Sequence, residues 1–431
     1  MTISRRAWLL AAGAVPLELA AMHALGGQSS PGPRPSSRLD SDAALPPIGP
    51  APTLPDKASF PTIRGTSLNA AATHPRPAGA TAFIRKAAAA DLADPNGFRP
   101  NETRIREMFA TLVNVDPSEV VLVPTTQAGE SFVASALGVH DRGSHVVSDY
   151  LHFVGSQMMY TDMAKRGVEV TWVKLRDNGI SLEDLDRAII KGKTKLVAVS
   201  GTSFVNGFEH DLKRVSEIAH AKGAMVYADI IQTAGNSPLD LHASGVDAAA
   251  TGSYKWLMSS GTAFLYVRRA SQERMRPPFY HWEQETTPLP TTHMYPFDVP
   301  GSQIVDHYAQ KEGAAGMFAM GYEPNIATLA GLEYSLPYIM NIGVDRIQAH
   351  AQRLTDRLKA ELPKRGYPLL TPVRARSPIV TVVAENAERL APVFKAANVN
   401  VTTRWNHIRI APSVFNDMDD VERFLAVLPR A

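Results

Sequence analysis

Two residues suggest the chemistry. In Val226-Tyr227-Ala228-Asp229-Ile230-Ile231-Gln232 an aspartate closes a short apolar run. A lysine follows 26 residues later in Asp247-Ala-Ala-Ala-Thr-Gly-Ser253-Tyr254-Lys255-Trp256-Leu257, set among small and apolar residues. Read alone, an aspartate after a strand is often a helix N-cap, and a single lysine is usually a solvated charge. Read together they suit one reaction type. A lysine in partly apolar surroundings has a depressed pKa and can form a Schiff base with an aldehyde. A carboxylate at a strand end can keep a pyridine nitrogen protonated, so the ring accepts electrons from a substrate Cα. Pyridoxal 5′-phosphate needs both.

Such a cofactor also needs a phosphate site. In Val121-Leu-Val-Pro124-Thr125-Thr126-Gln127-Ala-Gly129-Glu-Ser131 a strand ends, two hydroxyls follow and a helix begins. Helix N-termini bind phosphate through free N–H groups and the helix dipole. Thr125 or Thr126 also reads as a plain helix cap, and a cap and a phosphate site use the same donors.

These residues need elements to hold them. Short β-branched runs recur at 120–123, 145–148, 168–174, 195–200, 225–228 and 264–267. Helix-length amphipathic stretches at 127–137, 153–166, 182–190 and 212–221 fall between them. The alternation predicts an α/β fold with a mostly parallel central sheet flanked by helices. Ligands in such sheets bind beyond the C-terminal strand ends. Past residue 330 the pattern changes. A long helix is expected over 344–362, strands at 379–383, 399–403 and 407–410, and helices at 387–396 and 418–428. The expected division is a large domain over 62–330 and a smaller C-terminal α+β domain over 331–431. Residues 270–325 show little periodicity but carry Phe279, Tyr280, His281, Trp282, Tyr295 and Phe297, which suits a lid or an interface.

The stretch from Asp247 to Leu265 resembles the signature of the class V aminotransferase family, whose members have fold type I and use pyridoxal phosphate. Ser253-Tyr254-Lys255 is similar to the Ser-Tyr-Lys of its kynureninases, whereas His, Gln or Arg more often holds the middle place. The resemblance covers roughly residues 66–430. Leu68-Asn69-Ala70-Ala71-Ala72-Thr73 looks like the family's opening Leu-Asn-Asn-Ala-Ala-Thr, which implies that Asn69 borders the substrate. Thr125-Thr126-Gln127 matches the start of the phosphate helix, and Ser253 and Tyr254 fall beside it as cofactor contacts. His152 stands where the family places a ring stacked on the pyridine. Asp229 and Gln232 match the pyridine partner and the residue bonding the cofactor's ring hydroxyl. Ser203 and Gly207 match a Ser-x-x-x-Gly element near the site. His407-Ile408-Arg409-Ile410-Ala411-Pro412 looks like the segment whose arginine clamps an α-carboxylate by paired hydrogen bonds. The resemblance therefore implies a catalytic set of Lys255, Asp229 and His152, with Arg409 on the substrate. A homodimer is also implied, although Gly321-Tyr322-Glu323 replaces the Gly-Thr that reaches the neighbouring subunit's phosphate.

Composition narrows the alternatives. The chain has 431 residues and a net charge of +2, from 44 Lys+Arg against 42 Asp+Glu, which leaves no footprint for nucleic acid. Cysteine is absent. Disulfides, cysteine-ligated metals and a persulfide-carrying cysteine are therefore excluded, and desulfuration by the family's usual route with them. No metal site is read from the sequence. The start, Ser4-Arg5-Arg6-Ala7-Trp8-Leu9-Leu10, carries the paired arginines of a twin-arginine signal ahead of an apolar run. Pro16 and Glu18 interrupt that run, against the ~20 clean apolar residues of a membrane span. A signal peptide over 1–26, a proline-rich linker over 27–61 and a periplasmic destination are expected. The resemblance implies an aminotransferase acting on an amino acid or an amino-acid-containing peptide through a Lys255 Schiff base. Epimerisation or side-chain cleavage, as in the isopenicillin N epimerase-like and kynureninase-like branches, is the alternative. A scaffold that binds without turnover is the third. Export with this fold is similar to enzymes that tailor pyoverdine-type siderophores, which implies a glutamyl peptide as substrate.

Overall fold

The computed structural model describes residues 51–94, 100–285, 309–322 and 324–431. The expected signal peptide, the linker up to residue 50, and Tyr295 and Phe297 lie outside the described residues. Among the described residues no helix is long and apolar enough to cross a membrane.

Seven strands make the central sheet: β2 (Val120–Val123), β3 (His145–Asp149), β4 (Glu169–Val173), β5 (Thr194–Ser200), β6 (Met225–Asp229), β7 (Ala248–Gly252) and β8 (Ala263–Val267). Their order is β2-β8-β7-β6-β5-β3-β4. Every neighbouring pair is parallel except those that β8 makes with β2 and β7. The C-terminal ends of the other six strands therefore share one edge. Alternate side chains point to opposite faces, and two cores result. Val120, Leu122, Val197 and Val199 pack against α2 (Glu102–Leu112), α5 (Leu182–Ala188), α6 (Leu212–Ala221) and α10 (Ile326–Ile342). Val121, Val123, Leu196 and Ala198 pack against α3 (Thr126–Ala136), α4 (Val154–Lys165) and α9 (Gly313–Phe318).

A second sheet, β11 (Thr402–Arg404), β12 (His407–Ile410) and β9 (Val380–Val383), is antiparallel. It shares a core with α11 (Val344–Glu361) and α13 (Met418–Val427) through Leu354, Leu358, Phe424 and Leu425. A short parallel pair, β1 (Thr66–Ser67) with β10 (Val399–Asn400), sits beside it. The remaining helices are α1 (Ala78–Ala93), α7 (Leu241–Ser244), α8 (Arg269–Gln272) and α12 (Ala391–Ala396).

Four expectations need correction. Residue 330, the expected boundary, lies inside α10, which runs on to a C-cap at Gly343, where φ is 86°. β1 pairs with β10, in the C-terminal part of the chain, although it lies in the span expected for the large domain. The linker expected over 27–61 does not run free to its end. Phe60 is buried in the main core, and Asp56 accepts a 2.7 Å hydrogen bond from the Tyr338 hydroxyl. Prolines exclude helix and inner strand, but they do not exclude packing. Finally, β7, α1, α2 and α10 were not expected. β7 is an alanine run without β-branched residues, and α10 is buried on most sides, so neither shows a clear period.

One buried histidine ties the segment after β1 to the body. The His74 ring lies among Phe60, Trp256 and Phe415, with centroids 5.5–5.9 Å away. Its Nδ1–H donates to the Pro75 carbonyl at 2.7 Å and Nε2 accepts from Ser413 Oγ at 2.7 Å, an arrangement that fits the neutral ring. Burial pulls its pKa down to about 4, partly opposed by the Pro75 carbonyl. The unfolded chain binds this proton below about pH 6.5 and the folded chain does not, so stability falls as pH drops through that window. At about 1.4 kcal/mol per pH unit, acidification from 7 to 4 should cost the fold roughly 3 kcal/mol through this ring. Denaturant unfolding at pH 7 and 4.5 checks it: His74→Asn should show the shallower loss of stability on acidification, and equal losses would remove the assignment.

Candidate active site

The shared edge of the sheet gathers the residues. β6 ends at Asp229, and the next residue pair in register, Ser200 on β5, lies beside it. β7 ends at Gly252 and leads directly into Ser253-Tyr254-Lys255. β3 ends at Asp149, three residues before His152, and β2 leads into Thr125.

Asp229 caps no helix. Residues 231–236 form turns, and its Oδ1 accepts from the Ile231 N–H at 2.9 Å. It is 3% exposed. Burial raises its pKa, opposed by His152, the Ile231 N–H and Lys255. Lys255 is buried as well. Burial pulls its pKa down to about 8, with Asp229 pulling it back up and Arg409 pushing it further down. Burial thus outweighs the attraction between the two groups in both, and a useful fraction of the amine is neutral near pH 7. The turn that carries Lys255 is tight. Met258 donates its N–H to the Lys255 carbonyl and adopts φ 58°, a sparsely populated conformation for a long side chain.

The α3 N-terminus fits a phosphate. Thr125 caps it by accepting from the Ala128 N–H at 3.0 Å. The N–H groups of Thr126 and Gln127 then have no intrahelical partner. Thr126 Oγ1 is buried without a hydrogen-bond partner, which is costly unless a ligand supplies one. A Cβ at Gly252 would sit 3.1–3.2 Å from Ile231 Cδ1, Tyr254 Cε1 and this same Thr126 oxygen. Glycine therefore keeps open a cradle between the helix start and Tyr254. Gln127 turns away and donates to the Gly155 carbonyl at 2.9 Å, tying α3 to α4.

Arg409 also fits a ligand. Its guanidinium donates to the Phe204 carbonyl at 2.8 Å and to Thr402 Oγ1 at 3.4 Å, while buried Nε has no partner. Burial first and Arg404 second pull its pKa down to about 10, so it stays charged at neutral pH. Asn69 supports it indirectly by accepting from Thr402 Oγ1 at 2.8 Å.

Three of the residues expected at the cofactor have hydrogen-bond partners within the chain. Ser253 Oγ is buried and donates to the Thr262 carbonyl at 2.9 Å, which shapes the lysine turn. Ser203 Oγ donates to the Leu151 carbonyl at 2.9 Å and accepts from the Val205 N–H at 3.1 Å, which pins the segment before His152. The Gln232 amide holds the Ala71 carbonyl at 3.0 Å and accepts from Trp256 Nε1 at 2.8 Å, bracing the loop next to Lys255. Gly207 is needed beside Ser203: φ is 73°, and a Cβ would lie 2.6 Å from the Ile379 carbonyl. Tyr322, in the place of the family's threonine region, donates its hydroxyl to the Gly261 carbonyl of its own chain.

Sequence reasoning missed Glu130, Ser200 and Thr402. Glu130 carried the clearest signal, as a carboxylate on α3 with no Lys or Arg three or four residues away to pair with it.

Comparison with known proteins agrees with this geometry. A family model described as Aminotransferase class-V matches residues 99–404. The chain is 27% identical over 327 residues to the uncharacterized aminotransferase YcbU of Bacillus subtilis (strain 168), covering 73% of this chain and 80% of the relative. It is 29% identical over 256 residues to a probable cysteine desulfurase of Methanothermobacter thermautotrophicus, covering 59% and 60%. Among solved structures, the apo cysteine desulfurase of Thermococcus onnurineus NA1 matches with a TM-score of 0.74 at 19% identity, over 88% of this chain and 98% of that one. The cystine C–S lyase C-DES, in complex with cysteine persulfide, matches with a TM-score of 0.73 at 18% identity, over 85% and 98%.

Proposed function

Because this chain belongs to the class-V aminotransferase family, a pyridoxal phosphate enzyme of fold type I, we propose that it transfers the amino group of an amino acid or an amino-acid-containing peptide. The observation that carries the reading is that buried Lys255 and Asp229 meet at the C-terminal edge of the central sheet, with buried Arg409 of β12 near enough to act on the Lys255 charge. When bound, the cofactor supplies an electron sink for bonds at the substrate Cα. Thr126 and the α3 N-terminus would hold its phosphate, Asp229 its ring nitrogen and His152 its ring face. Arg409 clamps the substrate carboxylate and leaves Cα within reach of Lys255 Nζ. Lys255, with its pKa near 8, takes the Cα proton and returns it.

Transamination and epimerisation differ in where that proton goes. Epimerisation needs a second base on the opposite face. Tyr254 is the neighbouring candidate, but burial first and Asp229 second raise its pKa, so it keeps its proton near neutral pH. One effective base favours transamination over the epimerase-like branch. The absent cysteine disfavours desulfuration through a cysteine persulfide.

The same proposal includes export by the twin-arginine route to the periplasm, a homodimer, and a glutamyl side chain on a siderophore-type peptide as the substrate. The paired Arg5 and Arg6 support the first, and the family resemblance supports the other two.

A single-turnover assay tests the reaction. Cofactor-loaded protein is mixed with amino donors, including a glutamyl peptide, in D2O. Release of about one keto product per site with bleaching of the visible band is expected. Deuterium entering Cα with inverted configuration and no keto product would instead establish epimerisation.

A further inference from the structure

His152 is expected to face the cofactor ring, and its own surroundings are unusual. The ring is fully buried and held at both ends. Nδ1 lies 2.9 Å from Ser200 Oγ, and Nε2 lies 3.0 Å from Glu130 Oε1. Glu130 is 1% exposed and belongs to the same α3 whose first turn makes the phosphate cradle. It accepts two further hydrogen bonds, from Tyr160 at 2.9 Å on the same oxygen and from Ser156 at 2.5 Å on the other. Among the described residues, His152 is the one side chain able to carry a positive charge that is bonded to this carboxylate. A carboxylate this deeply buried persists only with such partners.

We propose, on the reading that the cofactor sits over His152, that Glu130 is a positioning residue: it fixes the plane of the His152 ring, keeps the proton on Nε2 and balances the ring's charge. Ring orientation follows from geometry. With both nitrogens tethered, the imidazole cannot turn about its own axis without breaking a buried hydrogen bond, so one flat face stays presented. Charge balance follows from the groups around it. Glu130 from α3, Asp149 from β3 and Asp229 from β6 all favour the imidazolium, against burial, and the net effect is a raised pKa. The Tyr160 hydroxyl of α4 and Ser200 of β5 complete the shell, with Lys255 lying beyond Asp229 and His210 beyond Asp149.

The consequence is a division of labour between two carboxylates. Without Glu130, the nearest remaining negative charges to His152 would be Asp149 and Asp229. Asp149 is already engaged by His210 at 3.1 Å and by the Leu151 N–H at 2.7 Å. Asp229 would then serve His152, and the same carboxylate is needed for the pyridine nitrogen. Glu130 leaves Asp229 free for the cofactor.

The test begins on cofactor-free protein. NMR of ring-labelled histidine follows the His152 titration, identified by its loss in His152→Asn. Glu130→Gln keeps one acceptor oxygen, for Tyr160 and His152, turns its NH2 toward Ser156 Oγ, which can accept instead, and removes the charge. The His152 midpoint should fall by about 1–3 pH units, the scale of losing one close opposite charge. Tyr160→Phe provides a second, opposite reading and protects against a misfolded Gln variant. It removes a donor from the oxygen shared with His152, so the midpoint should rise. Unchanged midpoints in both variants would overturn the proposal. A midpoint that moves as expected while the wild-type protein shows no cofactor colour would leave the Glu130–His152 unit standing and refute the cofactor reading instead. In loaded protein, Glu130→Gln should also shift the pH dependence of the visible band, whereas a purely structural role would alter only the unfolding midpoint.

Discussion

Replacing Lys255 with alanine is expected to abolish turnover, by on the order of 10⁴-fold or more, the scale seen when a covalent catalytic group is removed. The visible band of the bound cofactor should disappear with it, while the fold persists. Lys255 lies in a turn held by backbone bonds, Ser253 N–H to Thr262 and Ser259 N–H to Ser253, that do not involve its side chain. The pH dependence of cofactor capture gives a sharper result. Capture needs the neutral amine. With a pKa near 8, the neutral fraction is roughly a hundredth at pH 6, a tenth at pH 7 and half at pH 8. The capture rate should therefore rise with pH and level off above about 9. A surface lysine would keep accelerating past pH 10. A rate that climbs without a plateau, or an alanine variant that retains both colour and turnover, would remove Lys255 from its role.

Much of this site was legible because its chemistry needs rare residues in fixed places. A lysine among small apolar residues and an aspartate closing a buried strand are both expensive to keep in a fold, so their coincidence carried information. The strand and helix alternation from 120 to 267 was legible for a similar reason: β-branched runs are buried on both faces and their helices are amphipathic. The network around these residues was not legible. Ser203, Gln232 and Ser253 occupy the expected positions but bond to carbonyls and neighbouring side chains of their own chain. A sequence position cannot say which way a hydroxyl donates. Glu130 and Thr402 act across elements separated by many residues, Glu130 on His152 and Thr402 between Asn69 and Arg409. Such contacts depend on tertiary register, and β7 itself hid in an alanine run. The alanines there keep the strand slim under α3, where Gly129 approaches Ala250 so closely that a Cβ would lie 3.0 Å from it.

Asp229→Asn should separate function from stability. Asparagine keeps the acceptor that the Ile231 N–H uses, so the local turn survives. Without the carboxylate, nothing holds a proton on the pyridine nitrogen, and kcat/KM should fall by roughly 10²–10³-fold, the scale of losing one preorganised electrostatic partner. Stability of the cofactor-free protein should move the other way. The folded-state pKa of Asp229 is raised by burial, despite His152 and Lys255. The folded chain therefore holds this proton more tightly than the unfolded chain. Stability is lost as pH rises from the unfolded carboxylate value through the raised one. Removing the charge removes that loss, so the apo variant should unfold at a higher denaturant midpoint than wild type at pH 7, with the difference shrinking toward pH 4. A residue kept for stability would show the reverse, lower stability along with lower activity. A residue that costs stability and is retained is one kept for what it binds. Full activity in Asp229→Asn, or a less stable apo variant, would show that the carboxylate does not serve the pyridine nitrogen.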